Sequence, residues 1–172
     1  NYLSSNLVPV ETSHIGKAYR FDESGPRYIE FCKSTVPSDI SFSSLRIVVD
    51  CANGACYKVS PEVFEELGAE VITIGNKPDG FNINQKCGST HPEIVKEAVI
   101  KHRADFGISL DGDGDRVILV DEKGSILDGD DLLYILAFAN PNRTGPWSGV
   151  VGTLMSNIGL EDGINKLGYK FV

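Results

Sequence analysis

Phe106-Gly-Ile-Ser-Leu110, Asp111-Gly-Asp-Gly-Asp-Arg116 and Val117-Ile-Leu-Val120 run without a break, and together they decide the fold. The two flanks are short, apolar and rich in β-branched residues, which predicts two buried strands. Only six residues separate them. That is too few for a helical crossover, so the second strand is expected to run antiparallel to the first. The six residues hold three aspartates at i, i+2 and i+4 with glycines between them. Glycine turns the backbone sharply, and alternate residues project to one side, so three carboxylates can converge on one point. Close carboxylates repel one another. A hard divalent cation with a preference for oxygen, such as Mg²⁺, relieves that repulsion. Arg116 adds a fork of donors suited to phosphate, and a metal beside an arginine is equipment for phosphoryl transfer.

Working outward, strands and helices alternate. Leu45 to Asp50 and Val71 to Ile74 read as further strands. Between them a helix opens at Ser60-Pro61, buries Val63, Phe64 and Leu67, and stops at Gly68. Thr90-His-Pro-Glu93 has the spacing of a capping box, before a helix that buries Ile94, Val95, Ala98 and Val99. Arg27 to Thr35 predicts a helix ended by Pro37, and Lys123-Gly124 a turn. Asp130 is expected to cap a helix carrying Leu132, Leu133, Ile135 and Leu136. The alternation implies an α/β fold: a mixed, mainly parallel sheet with helices on both faces in α/β/α layers. Residues 1–25 read as a connector from a preceding domain, 26–140 as the metal-loop domain and 141–149 as a linker. Residues 150–172 read as the truncated start of a second α/β unit, with Ser156 or Asn157 as a helix cap. The chain opens on Asn1 and stops at Val172, and is expected to be a piece of a longer protein.

Composition narrows the function. The formal charge is −8 with no basic cluster, which argues against nucleic acid and anionic membranes as partners. No run of 18 apolar residues exists, so no helical membrane span is expected. Cys32, Cys51, Cys56 and Cys87 form no C-x-x-C pair. They read as free thiols in a reducing cytoplasm.

Rival readings of the aspartate loop fail on particular residues. A calcium loop that starts at Asp111 finds Glu122 at position 12, but it meets Arg116 where Gly is required, and strands where helices belong. A haloacid-dehalogenase-type nucleophile loop needs Thr or Val where Asp115 stands. His91 reads as a first-turn helix residue, His102 as a helix-end residue and His14 as part of the connector. Asp50 reads as a cap of the Asn53-Gly54 turn. Asp128 and Asp130 read as helix-start carboxylates, and Trp147 as packing at the joint. Thr153, Ser156 and Asn157 sit at a strand-to-helix turn, where capping outweighs anion contact.

Asp111-Gly-Asp-Gly-Asp-Arg116 resembles the metal loop of the α-D-phosphohexomutases. Tyr28 to Ser34, Val48 to Ala55, Asn82-Ile-Asn84 with Cys87-Gly-Ser-Thr90, and Gly152 to Glu161 are similar to the glucosamine branch of that family. The resemblance implies a four-domain enzyme, of which this chain holds the second domain and the start of the third. It implies interconversion of glucosamine 6-phosphate and glucosamine 1-phosphate, on the route to UDP-N-acetylglucosamine, through a phosphoserine and a bisphosphorylated intermediate. Phosphomannomutase and phosphoglucomutase of the same superfamily are the nearest alternatives, and a non-catalytic Ca²⁺/Mg²⁺-binding module is the alternative from another class. By position the resemblance makes Asp111, Asp113 and Asp115 the Mg²⁺ ligands and Arg116 a phosphate contact. The partners it implies are a phosphosugar substrate and the remaining domains of the same polypeptide. The family's Ser-His-Asn-Pro-like nucleophile loop is absent, as are its sugar-reading and phosphate-gripping loops. Ser89-Thr-His-Pro92 mimics the first, but its place inside the second domain argues against a nucleophile there. Ser89 or Thr90 could instead line the cleft.

Overall fold

The structure is a computed structural model that describes residues 10–139 and 149–172. The expected linker and Trp147 lie outside the described residues, apart from Gly149. A 3-10 turn at Thr12–His14 precedes α1 (Ser24–Ser34). Then follow β1 (Arg46–Asp50), α2 (Val59–Glu66), β2 (Glu70–Ile74), α3 (Pro92–His102), β3 (Phe106–Leu110), β4 (Val117–Asp121), β5 (Ile126–Leu127) and α4 (Gly129–Phe138). β6 (Gly149–Val150), α5 (Ile158–Lys166) and β7 (Lys170–Phe171) complete the described chain.

The main sheet has the order β2-β1-β3-β4-β5. β1 lies parallel to both β2 and β3, and β4 runs antiparallel to β3, as the short loop requires. β5 returns antiparallel to β4 around the Lys123-Gly124 turn; a strand of two residues carries too little pattern to be read in advance. β1 is the central strand, and Ile47, Val48 and Val49 are fully buried. Its alternate residues feed two cores. Ile47, Val49 and Cys51 pack with Ile108, Phe64 and Tyr57 on the α2 face. Val48 packs with Val95, Val99 and Val120 on the α3 face. α1 lies against α2. Each fully buried valine or isoleucine contributes roughly 1.5–3 kcal/mol, so β1 anchors both layers and fixes where its carboxyl end points.

α1 begins three residues before the expected Arg27 and α2 one residue before Ser60, and the caps of two later helices differ from the sequence reading. α3 has no capping box: His91 is the N-cap without a side-chain bond, and Pro92 opens the helix. Proline needs no N–H acceptor at that position, so Thr90 has no capping task and stays exposed. The cap of α4 is Asp128, not Asp130. Its carboxylate accepts the N–H groups of Asp130 and Asp131, and Asp131 accepts the Asp128 N–H in return. Asp130 instead accepts the N–H of Asn157 at 2.8 Å. That bond ties the start of α4 to the N-cap of α5, where Asn157 accepts the Leu160 N–H.

The sequence reading carries the first unit through residue 140. The buried side of α4 turns elsewhere: Ala137 and Leu133 pack with Val150, Leu160 and Ile164. α4, α5 and the parallel pair β6–β7 therefore share a core of their own. Among the described residues no helix is long and apolar enough to cross a membrane.

Candidate metal centre

The acidic loop is a hairpin connection at the carboxyl end of β3, closed by the Leu110–Val117 register pair. Ligands of α/β sheets gather at such edges. Inside the loop the Gly114 N–H donates to the Asp111 carbonyl at 3.1 Å, and Gly114 takes φ +75°. That left-handed turn resists any side chain with a Cβ.

A second loop, which follows β1, holds the first in place. Ala55 N–H donates to the Gly112 carbonyl at 2.8 Å. Gly54 lies so close that a Cβ there would overlap the Gly112 carbonyl. Asp50 organises the same edge from beneath. It is fully buried, and its carboxylate accepts the N–H of Ala52 at 3.0 Å, the N–H of Gly88 at 2.7 Å and the Ser109 hydroxyl at 3.4 Å. Three separate segments are joined by one side chain. The expected Asn53-Gly54 cap is thus the smaller part of what Asp50 does. Its other two partners lie 38 and 59 residues away, and no local pattern reveals such bonds. Burial pushes the neighbouring Cys51 thiol up to about 12, with the Asp50 charge assisting. The four cysteines are free.

The three aspartates come together. Each can offer one carboxylate oxygen such that all three lie within 4.8 Å of one another. Their settings differ. Asp111 is 2% exposed, while Asp113 and Asp115 are exposed. Asp111 Oδ1 accepts the Arg116 N–H at 3.0 Å, and Oδ2 accepts the guanidinium through Nε at 2.9 Å and Nη2 at 2.9 Å. Burial works against the charge on Asp111. The Arg116 N–H and guanidinium, and a hydrogen bond from Asp115, outweigh it and hold the carboxyl down at about 2. Asp115 moves the other way: its hydrogen bond with Asp111, and then the charges of Asp111 and Asp113, raise it. Asp111 in turn raises Arg116. The loop is crowded with negative charge, and one arginine partly compensates it.

The donor set fits a hard cation. All three ligands are carboxylate oxygens, and a carboxylate has lone pairs for a metal as well as for an N–H donor. Mg²⁺ binds oxygen at ~2.1 Å, so a set of three carboxylate oxygens drawn together on one loop is of the scale its ligands occupy. The Arg116 side chain is 61% exposed. Its fork grips Asp111 on one side and faces solvent on the other. Of the other candidates, Ser89 has a buried hydroxyl with no partner among the described residues. His91 Nδ1 lies 3.1 Å from Glu93 on the first turn of α3.

Fold and loop together define a class: an α/β/α domain that presents three convergent carboxylates and an arginine at the carboxyl edge of its sheet. Residues 26–124 match the family described as phosphoglucomutase/phosphomannomutase, alpha/beta/alpha domain II. The chain belongs to that family. It is 58% identical to the phosphoglucosamine mutase of Legionella pneumophila (strain Lens) over 169 residues, which are 98% of this chain and 37% of that protein. It is 55% identical to the phosphoglucosamine mutase of Pseudomonas fluorescens (strain Pf0-1) over 170 residues, 99% of this chain and 38% of that one. The chain thus spans less than two fifths of the length of these relatives. Among solved structures, a phosphoglucomutase/phosphomannomutase family protein from Burkholderia thailandensis aligns with a TM-score of 0.71 at 25% identity. That alignment covers 86% of this chain and 32% of the other. A putative phosphomannomutase from Thermus thermophilus has the same fold, with a TM-score of 0.71 at 20% identity, over 90% of this chain and 37% of the other.

Proposed function

We propose that this chain is the metal-carrying part of a phosphoglucosamine mutase, which interconverts glucosamine 6-phosphate and glucosamine 1-phosphate. The observation that carries the reading is the convergence of Asp111, Asp113 and Asp115 within 4.8 Å on a loop bolted to the sheet edge. The choice of sugar rests on the names of the 55–58% identical relatives. The phosphoserine that exchanges its phosphoryl group with the sugar belongs to a part of the protein outside this chain.

Asp111, Asp113 and Asp115 would hold Mg²⁺, which when bound neutralises charge on the transferred phosphoryl group. Beside the three carboxylates, the cation would also accept water or phosphate oxygens. Asp111 would do two jobs: it fixes the guanidinium plane of Arg116 and would offer an oxygen to the cation. Arg116 keeps donors on its outer side for a phosphate. Phosphoryl transfer needs mainly positioning and charge compensation, and this loop supplies both without a nucleophile of its own.

In the full-length protein, Asp113→Asn should lower turnover of glucosamine 6-phosphate by on the order of 10²-fold or more while the fold is retained, since one carboxylate of the cation site is lost. A variant with parental kcat at ordinary Mg²⁺ concentrations would refute the assignment. The isolated chain should bind Mn²⁺ weakly and show no mutase activity.

A further inference from the structure

The same sheet edge carries a second feature that shares no residue with the acidic loop. In the connection from β2 to α3, φ is positive at Asn84 (57°), Lys86 (51°) and Gly88 (82°), and not at Gln85 or Cys87. Where left-handed residues alternate with right-handed helical ones, successive N–H groups can turn toward one concave side, the geometry of an anion nest. One donor of the run is already used in that way: Gly88 N–H donates to the Asp50 carboxylate at 2.7 Å. Asn84 and Gln85 donate to the carbonyls of Ala52 and Asn82. Among the described residues, the N–H groups of Lys86 and Cys87 meet no acceptor. Lys86 is exposed and water can serve its N–H, but Cys87 is only 6% exposed, and buried backbone donors without a partner are rare in native structures.

Both residues border a cavity of about 440 Å³ at the ends of β1 and β2, with Asn53, Asn76, Lys77 and Gln85 around it. The cavity is built, not incidental. Asn53 Oδ1 accepts the Lys77 N–H at 3.0 Å, and Asn82 Nδ2 donates to the Lys77 carbonyl at 2.9 Å. Lys77 and Lys86 are exposed, and neither has a carboxylate within 4.0 Å among the described residues. Asp79, two residues from Lys77, is turned away into its own loop, where it accepts the N–H groups of Phe81 and Asn82. The two ammonium groups border the same cavity as these donors, while Asp50, the carboxylate bonded to the run, is fully buried and already engaged by Ala52, Gly88 and Ser109. Lys86 also holds a left-handed conformation that a side chain resists, and such strain gathers at ligand clamps.

We propose that this cavity binds the phosphate group of a phosphate monoester. The N–H groups of Lys86 and Cys87 and the ammonium groups of Lys77 and Lys86 are its donors. The site does not depend on the mutase reading, because it uses neither the aspartates nor Arg116.

The test is an NMR titration of the ¹⁵N-labelled chain at constant ionic strength, with inorganic phosphate in one arm and glucosamine 6-phosphate in the other. The Lys86 and Cys87 amide signals should shift saturably, with affinity on the order of millimolar. Tighter binding in the sugar arm identifies a sugar phosphate as the ligand, and equal binding identifies free phosphate. The pair Lys77→Ala, Lys86→Gly should weaken binding by about tenfold, as expected when charge-assisted contacts are lost. Glycine at 86 keeps the left-handed backbone, and Lys77→Ala alone should give part of the loss. The proposal is overturned if the shifts are confined to residues 111–116, or if they persist unchanged in the double variant. A separate Mn²⁺ titration reports on the acidic loop, so the two readings fail independently.

Discussion

Asp111, Asp113 and Asp115 are alike in sequence and unlike in place. Asp111 is buried against Arg116, and the other two face solvent. Substitution should separate two duties. Asp111→Asn and Asp113→Asn should both weaken Mn²⁺ binding, but only Asp111→Asn should also destabilise the fold. It leaves a buried, hydrogen-bonded ionic site half-empty, at a cost of about 1–3 kcal/mol. Urea unfolding with chelator present measures this, and equal midpoints for the two variants would contradict it. The pH dependence follows from the same bonds. The Asp111 carboxyl is depressed in the fold, to about 2. Its contribution is therefore complete above the ordinary aspartate value of ~3.9 and is lost as pH falls from there toward 2. Asp111→Asn should flatten that part of the acid limb. The three aspartates were legible as a cluster because their spacing is local. Their inequality was not, because it depends on the burial of the β3 end and on a side chain that folds back from position 116.

Elements hold the loop in place mainly through close backbone approach. Gly107, in the middle of β3, leaves no room for a Cβ: one would lie 2.6 Å from Val99 Cγ2 and 2.7 Å from Val95 Cγ2, both on α3. Gly107→Ala should therefore push α3 off the sheet and destabilise the protein by about 1–3 kcal/mol. Differential scanning calorimetry would register this as a fall in Tm, and an unchanged Tm would mean that α3 does not pack as described. The longer strands and the helices were readable from periodicity, including the antiparallel turn of β4, which six loop residues impose, whereas the two-residue β5 was not. Helix starts were harder to read. Four acidic or small residues at 128–131 offer several possible caps, and only backbone geometry selects Asp128. At Thr90 the local spacing matched a capping box, yet Pro92 sets the helix start and removes the need for one. The contacts of Asp50 with Gly88, and of Ala55 with Gly112, join segments distant in sequence. Periodicity carries no information about them.

At the scale of the whole molecule, α4 decides where one unit ends and the next begins. Its sequence is apolar nearly all round, and such a helix does not say which neighbour it will choose. Ala137 and Leu133 lie with Leu160 and Ile164, and Asp130 accepts the Asn157 N–H. The family match ends at residue 124. We therefore propose that the boundary falls between β5 and α4, at 127–128, and that α4 opens the second unit. A chain of residues 10–127 keeps both cores of the main sheet, since every buried member of those two clusters lies between Ile47 and Val120. It should unfold cooperatively and retain the dispersed amide signals of the acidic loop. A chain of residues 10–140 would keep α4 but lose Val150, Leu160 and Ile164. That would bare Leu133 and Ala137 beside Ile135, Leu136 and Phe138, which are already exposed. An apolar surface of that extent drives association, so the longer piece should be the less soluble of the two. Light scattering and unfolding curves on the pair decide the matter. If 10–127 is unfolded and 10–140 is a well-behaved monomer, α4 belongs to the first unit and the acidic loop depends on it.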